Sequence, residues 1–532
     1  MIDLKPKDFE IIADIIKRYV PDRRVVAFGS RVKWTAKTGS DLDLCVIGKH
    51  PLSLQEIASL EEAFSESDLP MKIDVVDWAT ISEEFRKIIE KDAVEIQKPV
   101  EKWHSIKLSD ACVKNGGIQT GPFGSQLHQS DYVETGTPII TVEHLGDNRI
   151  TRQNLPLITD ADRDRLKKYS LKAGDIVFSR VGSVDRRALV RKEEDGWLFS
   201  GRCLRVRLDE TKANPAFVSF QFGLESFKEY IRSIAVGATM PSLNTQILSD
   251  VQIILPSLAE QKSIANILSA VDDKIELNRR MNETLEAMAK ALFKSWFVDF
   301  DPVRAKTEGR QPEGLAPEIA ALFPDGFVES KIGQIPIGWS IAKLGEEFNL
   351  TMGQSPPGET YNELQIGLPF YQGRTDFGFR YPSPRIYCSA PTRIAETGDT
   401  LISVRAPVGD INMAFEKCCL GRGVASVRHK TGAISYTYYS LINIQSSFNS
   451  FEAEGTVFGS INKKDFECLS LITPTKSLID EFENIIMPID LKIRLASEQI
   501  TSLIQIRDTL LPKLMSGEIR VQEAEALVEA IA

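Results

Sequence analysis

Two aspartates one residue apart, Asp41 and Asp43 in Gly39-Ser-Asp-Leu-Asp-Leu44, carry the first chemistry of this chain. Side chains alternate across a strand, so both carboxylates point to one face. Two carboxylates there can hold Mg²⁺, which keeps several waters and binds nucleotide phosphates. Asp74, in Ile73-Asp-Val75, lies on a neighbouring predicted strand and offers a third carboxylate. Gly29-Ser30 ends a further predicted strand, where a bare backbone lets N–H groups approach phosphates. An Asp-x-Asp pair by itself is a weak signal. The competing reading is a domain that has lost its chemistry and only binds a partner.

The elements that must position these residues make residues 1–98 a small α/β unit. Periodicity predicts a helix from Phe9 to Val20 and strands at Arg24–Phe28 and Leu42–Ile47. A helix follows near Leu54–Phe64, then a strand at Lys72–Val76 and a helix near Ser82–Glu95.

The rest of the chain is a duplication. Gly237-Ala-Thr-Met-Pro-Ser-Leu-Asn244 returns as Gly455-Thr-Val-Phe-Gly-Ser-Ile-Asn462. The register then holds without a gap, pairing Ser242 with Ser460, Pro256 with Pro474 and Leu292 with Leu510, an offset of 218 residues each time. Solenoid units recur every 20–50 residues or so, which makes this a repeated domain plus a long helix. The regions 99–254 and 339–473 are β-rich, dense in Gly, Pro and Thr. Each opens on a tryptophan (Trp103, Trp339). Each holds a Gly-Asp strand (Gly174–Ser179, Gly398–Ser403) with an arginine just after it, Arg180 or Arg405.

Behind each region, within 255–300 and 474–517, runs a predicted helix of about 38 residues or about 57 Å. Val271, Ile275, Asn278, Asn282, Leu285, Ala289, Leu292 and Trp296 alternate spacings of four and three. Ile489, Ile493, Ala496, Ile500, Leu503, Arg507, Leu510 and Leu514 do the same. Two heptad seams in one chain predict that the two helices pair with each other, with the polar seam residues fixing register. The alternative is that each helix packs only on its own domain. Residues 301–338, with five prolines (Pro302, Pro312, Pro317, Pro324, Pro336), read as a stiff linker, and 518–532 as a C-terminal tail. The predicted fold class is mixed α/β and multidomain.

Bulk properties bound the function. A chain of 532 residues with 42% hydrophobic and 26% charged residues is globular in composition. No apolar run reaches the roughly 20 residues that span a bilayer, so no membrane partner is expected. The opening Met1-Ile-Asp-Leu-Lys-Pro-Lys-Asp8 lacks a secretory pattern, which predicts the cytoplasm. Seven scattered cysteines predict free thiols, and five histidines show no metal-ligand spacing. The net charge of −10 is uneven. Residues 1–98 hold 15 Lys+Arg against 19 Asp+Glu, residues 105–235 hold 20 against 17, and residues 339–465 hold 12 against 12. A basic face for DNA is therefore open to both β-rich regions.

Several motifs resemble type I restriction–modification specificity subunits, over roughly residues 100–520 and in that family's order. They are Leu258-Ala-Glu-Gln261, Ser295-Trp-Phe-Val-Asp-Phe-Asp-Pro-Val303, Phe323-Pro-Asp-Gly-Phe327, Ile335-Pro-Ile-Gly-Trp339, Gly121-Pro-Phe-Gly-Ser125 and Leu510-Leu-Pro-Lys-Leu-Met-Ser-Gly-Glu518. The resemblance implies two target recognition domains, each reading one half of a split site in double-stranded DNA. It implies that the two long helices form an antiparallel coiled coil, set the gap and dock DNA methyltransferase subunits, in a complex that recruits restriction (translocase/nuclease) subunits. No Gly-x-x-x-x-Gly-Lys-Ser/Thr loop and no Asn-Pro-Pro-aromatic motif occurs, consistent with a specificity region that carries no cofactor. Arg suits guanine edges and Gln adenine. That makes Gln119, Arg180, Arg186, Arg187, Arg374 and Arg405 candidate DNA contacts. Each is alternatively a salt bridge or a solvated side chain.

The first 98 residues depart from that family. Phe28-Gly-Ser-Arg31, Gly39-Ser-Asp-Leu-Asp-Leu44 and Ile73-Asp-Val75 resemble minimal nucleotidyltransferases of the polymerase-β superfamily. The resemblance implies catalytic, Mg²⁺-holding Asp41, Asp43 and Asp74, and a nucleoside triphosphate on Gly29 and Ser30. It implies a toxin or another acceptor for the transferred group. The alternatives are a chain that is chiefly a nucleotidyltransferase coupled to DNA recognition, or an orphan DNA-binding scaffold.

Overall fold

The computed structural model describes residues 2–37, 39–97, 103–122, 126–237, 239–405, 407–448 and 459–524. It divides into two compact units, Met1–Ala270 with Asp508–Ala532, and Val271–Arg507.

In the first unit, residues 2–97 form a four-stranded sheet. Its strands are β1 (Arg24–Phe28), β2 (Leu42–Ile47), β3 (Ile73–Asp77) and β4 (Val94–Gln97), in the order β3-β2-β1-β4. β2 and β3 run parallel, whereas β1 is antiparallel to both β2 and β4. Helices α1 (Pro6–Tyr19), α2 (Leu54–Ser65) and α3 (Glu83–Asp92) accompany them. Pro6 opens α1, where a missing N–H costs nothing. Ser53 and Glu56 cap α2 reciprocally. Ile12, Ile16, Val25, Leu44 and Leu60 bury the apolar stripes of α1 and α2 against the sheet. The predicted elements fall where the periodicity put them, except β4. Its four residues sit at the end of the predicted third helix, too short a run to outweigh the helical pattern before it. Gln97 Nε2 ties β4 to Val20 O at 2.8 Å and Arg23 O at 3.1 Å.

The first β-rich region pairs His104–Lys107 with Gln252–Leu255, closing its own ends together. Between them lie a five-stranded sheet and a four-stranded sheet. The second β-rich region, within the second unit, repeats the plan. Ser340–Lys343 pairs with Ser470–Thr473, and a four-stranded and a five-stranded sheet lie between.

The repeat is visible in side-chain roles. Asn244 Oδ1 accepts from Ile247 N at 2.8 Å and Asn462 Oδ1 from Asp465 N at 3.0 Å, so each caps the short helix after the repeated turn. Residues 455–458 of the second turn, Ala238 of the first, and Phe123-Gly-Ser125 lie outside the described residues. The Gly-Asp pair is a structural joint in both copies. Gly174 (φ +91°) and Gly398 (φ +84°) turn the chain in the left-handed region. Asp175 and Asp399 then accept the backbone N–H three residues upstream, from Lys172 and Glu396, and pair with Arg207 and Arg428.

The long helices are Leu258–Phe297 and Lys476–Ser516, 40 and 41 residues. Within the second unit their seam is buried at Val271, Ile275, Ala289, Trp296, Ile493, Ala496 and Leu503, while Leu285, Leu292, Ile489 and Ile500 are half-buried. Its polar positions pair across the helices. Asn278 Nδ2 donates to Gln499 Oε1 at 2.8 Å and Asn282 Nδ2 to Ser497 Oγ at 3.2 Å, and Arg507 Nη1 lies 3.1 Å from Asp272 Oδ1. Numbers rise on one helix as they fall on the other, so the pair is antiparallel.

One side chain of the second β-rich region reaches both helices of this pair, beside the bonds from Ile434, Ser435 and Tyr436 N–H to Glu483 of the second helix. Arg380, 1% exposed, puts Nε 3.1 Å from Glu286 Oε2 of the first long helix and Nη2 3.1 Å from Asp490 Oδ1 of the second. Its guanidinium also lies over Tyr438, 4.0 Å from the ring centroid.

Residues 301–338 are not the linker that their prolines predicted. They form helices Asp301–Thr307 and Pro317–Ala320 and a hairpin, Phe327–Ser330 with Gly333–Pro336. Pro302 and Pro317 occupy first-turn positions, where proline starts helices instead of breaking them. Val303, Phe323 and Ile335 are buried in the second unit's core or beside it.

Arg380→Ala would leave Asp490 buried without its cation and Glu286 with only Lys290, 2.6 Å away. It is expected to cost about 3–5 kcal/mol, read as an earlier urea transition of the full chain by circular dichroism. An unchanged transition would show that the cluster does not hold this unit together.

Candidate functional site

Three acidic side chains gather at one end of the small sheet. Asp43 lies opposite Phe28 on β1 and beside Asp74 on β3, so the strand register alone makes the two aspartates neighbours. Asp41 is exposed, just ahead of β2. Arg31 fixes its loop, donating from Nε at 3.0 Å and Nη2 at 2.7 Å to Ser40 O. Gly29 directly follows β1 with φ +82°, and a Cβ there would sit 2.1 Å from Asp43 Oδ2. Only glycine leaves room for that carboxylate. Ser30, half-buried, accepts Thr35 N at 3.0 Å and turns the loop back on itself.

Burial, and after it the charges of Asp74 and Asp41, push the Asp43 carboxyl above its ordinary value. A group held that way is stabilised by an added cation. Among the described residues no three His, Cys, Asp or Glu side chains are grouped to hold a metal ion as they stand. The expected three-carboxylate metal group is thus not assembled. The reason is local: Lys72 Nζ lies 2.6 Å from Asp74 Oδ1 and neutralises it. The bond to Asp74 in turn raises the pKa of Lys72. The remaining donor pair, Asp41 and Asp43, still fits Mg²⁺, which commonly takes one or two carboxylates and completes its shell with water and substrate phosphates.

The arginines and glutamine expected to touch DNA differ in exposure and in partners within each region. Arg187 is 4% exposed, with Nε on Ser219 O at 2.9 Å and Nη1 3.5 Å from Asp147 Oδ1. It braces the first β-rich region from inside and offers no face to a duplex, which corrects the expectation for it. Arg180 is half-buried and donates from Nη1 to Gly201 O at 2.9 Å. Gln119 is half-buried on a strand, opposite Arg205. Arg186 is exposed, 3.3 Å from Val142 O. Arg374 is exposed and paired with Asp410 at 2.6 Å. Arg405 is exposed, with its backbone bridged to Ser460 of the repeated turn.

Sequence reading missed two exposed arginines on turns next to these. Arg202 stands in Ser200-Gly-Arg202 and Arg422 in Gly421-Arg-Gly423. The signal was the glycine beside each, but it became readable only when strand pairing showed the two turns to be counterparts.

Comparison with known proteins agrees with both halves. The type I restriction modification DNA specificity domain family matches residues 100–287, and the polymerase beta nucleotidyltransferase family matches residues 10–100. The chain is 31% identical over 397 residues to a Methanocaldococcus jannaschii protein described as the MjaX type I restriction enzyme specificity subunit, covering 73% of this chain and 88% of that one. It is 52% identical over 104 residues to a Haemophilus influenzae protein described as the protein adenylyltransferase MntA, covering 19% of this chain and 91% of that one. The crystal structure of a type I restriction–modification S subunit from M. genitalium shares the fold, with a TM-score of 0.52 at 17% identity, covering 78% of this chain and 96% of that one. A duplicated β-rich plan, a polar-seamed helix pair and these relatives lead to one conclusion: the chain belongs to the type I restriction–modification specificity subunits and carries a polymerase-β-type nucleotidyltransferase domain in front.

Proposed function

We propose that each β-rich region reads one half of a split DNA site and that the two long helices set the gap and dock methyltransferase subunits. The observation that carries this is the duplication itself. The Asn-capped turn and a buried aspartate paired with an arginine recur in both copies, while the side chains on the intervening loops differ. A shared scaffold with different loops suits two half-sites of different sequence. Restriction subunits join the same complex. The chain itself contributes an address, and chemistry on DNA comes from its partners.

The first 97 residues are proposed to transfer a nucleotidyl group, by similarity to the adenylyltransferase an adenylyl group, onto a hydroxyl of a protein or another acceptor. Gly29 and Ser30 face the triphosphate with backbone N–H groups. Asp41 and Asp43 hold Mg²⁺, which neutralises charge on the phosphates when bound. Asp74 takes the proton of the attacking hydroxyl, and Lys72 holds that carboxylate in place. The hydroxyl oxygen bonds to the α-phosphorus as the bond to pyrophosphate breaks.

Two tests follow. Co-expression with methyltransferase subunits is expected to give adenine methylation at one split motif, absent without this chain, in methylome sequencing. Absence of any chain-dependent motif rejects the DNA reading. For the front domain, the sign of the Asp43 shift sets the expectation. Its folded pKa is raised, so ionisation above the ordinary carboxylate range works against the fold. Asp43→Asn should therefore raise the metal-free thermal midpoint at pH 7, remove its increase with Mg²⁺, and abolish transfer of label from α-labelled ATP. Unchanged labelling in Asp43→Asn would overturn the assignment.

A further inference from the structure

Two turns, one in each β-rich region, are built by the same backbone bonds. Ser200 N donates to Ile140 O at 2.8 Å, and Gly421 N to Tyr371 O at 2.9 Å. Cys203 N donates to Ser200 O at 2.9 Å, and Val424 N to Gly421 O at 3.1 Å. Arg180 N reaches Arg202 O at 2.8 Å, and Val404 N reaches Gly423 O at 2.9 Å. Ser200-Gly-Arg202 and Gly421-Arg-Gly423 are therefore counterparts, each leading into the strand paired with the Gly-Asp strand.

The ground beside both turns is kept clear in the same way. Gly121 N donates to Cys203 O at 3.2 Å and Gly353 N to Val424 O at 3.0 Å. A Cβ on Gly121 would sit 2.2 Å from Ser200 O, and one on Gly353 would sit 2.1 Å from Gly421 O. Neither position tolerates a side chain.

Each turn carries one exposed arginine, and the arginine is one place out of step: third in the first turn, second in the other. Most other arginines of these regions are committed. Arg187, Arg207, Arg232, Arg374 and Arg428 all pair with aspartates. Arg202 and Arg422 pair with no carboxylate among the described residues; Arg422 Nε makes a 3.3 Å contact to Ser355 Oγ.

Two half-sites of different sequence share one thing, the phosphate backbone. A feature kept in both copies answers to what the halves share, and a feature that differs answers to what they do not. Reading a base edge needs a bidentate fork held in one geometry, which a shift of one residue would break. A phosphate contact needs a charge within reach, and a long flexible arginine supplies it from either position. We propose that Arg202 and Arg422 are the matched phosphate contacts of the two half-site readers. The proposal rests on the DNA-reading function above and adds a division of labour within it.

The test uses the full chain in complex with methyltransferase subunits and a duplex of about 40 base pairs of mixed sequence. Arg202→Gln and Arg422→Gln are each expected to flatten log K against log [salt] by about 1. Affinity should fall several-fold at physiological salt, by the same factor on mixed-sequence and motif-bearing duplexes, with the methylated motif unchanged. Arg202→Lys and Arg422→Lys should restore most of the slope, since a point charge suffices for phosphate. An unchanged slope in the Gln variants overturns the proposal. So does loss of one base of the methylated motif, which would make the residue a base reader. Wild-type complex that binds neither duplex rejects the DNA-reading function as well, and so separates the two failures.

Discussion

The second unit depends on charge buried between two helices. An apolar heptad seam tolerates sliding, because one leucine fits a hole much as the next does. Asp272 with Arg507, and Glu286 and Asp490 with Arg380, do not tolerate it. A slip of one turn, about 5.4 Å, would part Arg507 from the buried Asp272, and breaking a buried ion pair costs about 3–5 kcal/mol. The Asn278–Gln499 and Asn282–Ser497 bonds add smaller penalties to the same slip. Arg380 extends the constraint beyond the helices. It comes from the second β-rich region and touches both, so that region's place is fixed by the same charges that fix the register. The proposed task of holding a reader at a defined place on DNA needs such a constraint.

The duplication shows what each copy could not change. The Gly-Asp joint persists because Gly174 and Gly398 have positive φ, and because the buried aspartate after each pairs with an arginine. The Asn-capped turn persists because its backbone is bonded to the loop after the Gly-Asp strand, Leu243 N to Arg180 O and Ile461 N to Val404 O. Between these fixed points the loops have diverged in length and side chain. The proposed function separates along the same line, with frame and phosphate contacts held in common and sequence preference carried by what differs.

Much of this was legible in the sequence, and the limits follow a rule. Patterns that repeat along the chain were readable: the heptad seams, the 218-residue offset, and the alternation that sets Asp41 and Asp43 on one strand. Side chains whose role arises from distant segments were not. Arg380 stands between Phe379 and Tyr381 with no local pattern, and its partners lie at 286, 438 and 490. Arg187 looked like a surface arginine on a turn, and the structure turns it inward onto Ser219. The prolines of 301–338 read as breaks because their position within a helix turn is not visible before the helix is. Asp74 was readable as a carboxylate of the site, but the claim of Lys72 on it was not.

Each β-rich region is proposed to specify one half of a split target on a common helical frame. Exchanging residues 339–473 for the matching region of a specificity subunit with a different target, then sequencing the methylome, tests it most directly. One half of the motif should change to the donor's, with the other half and the gap unchanged. A change in both halves, or in neither, would contradict it.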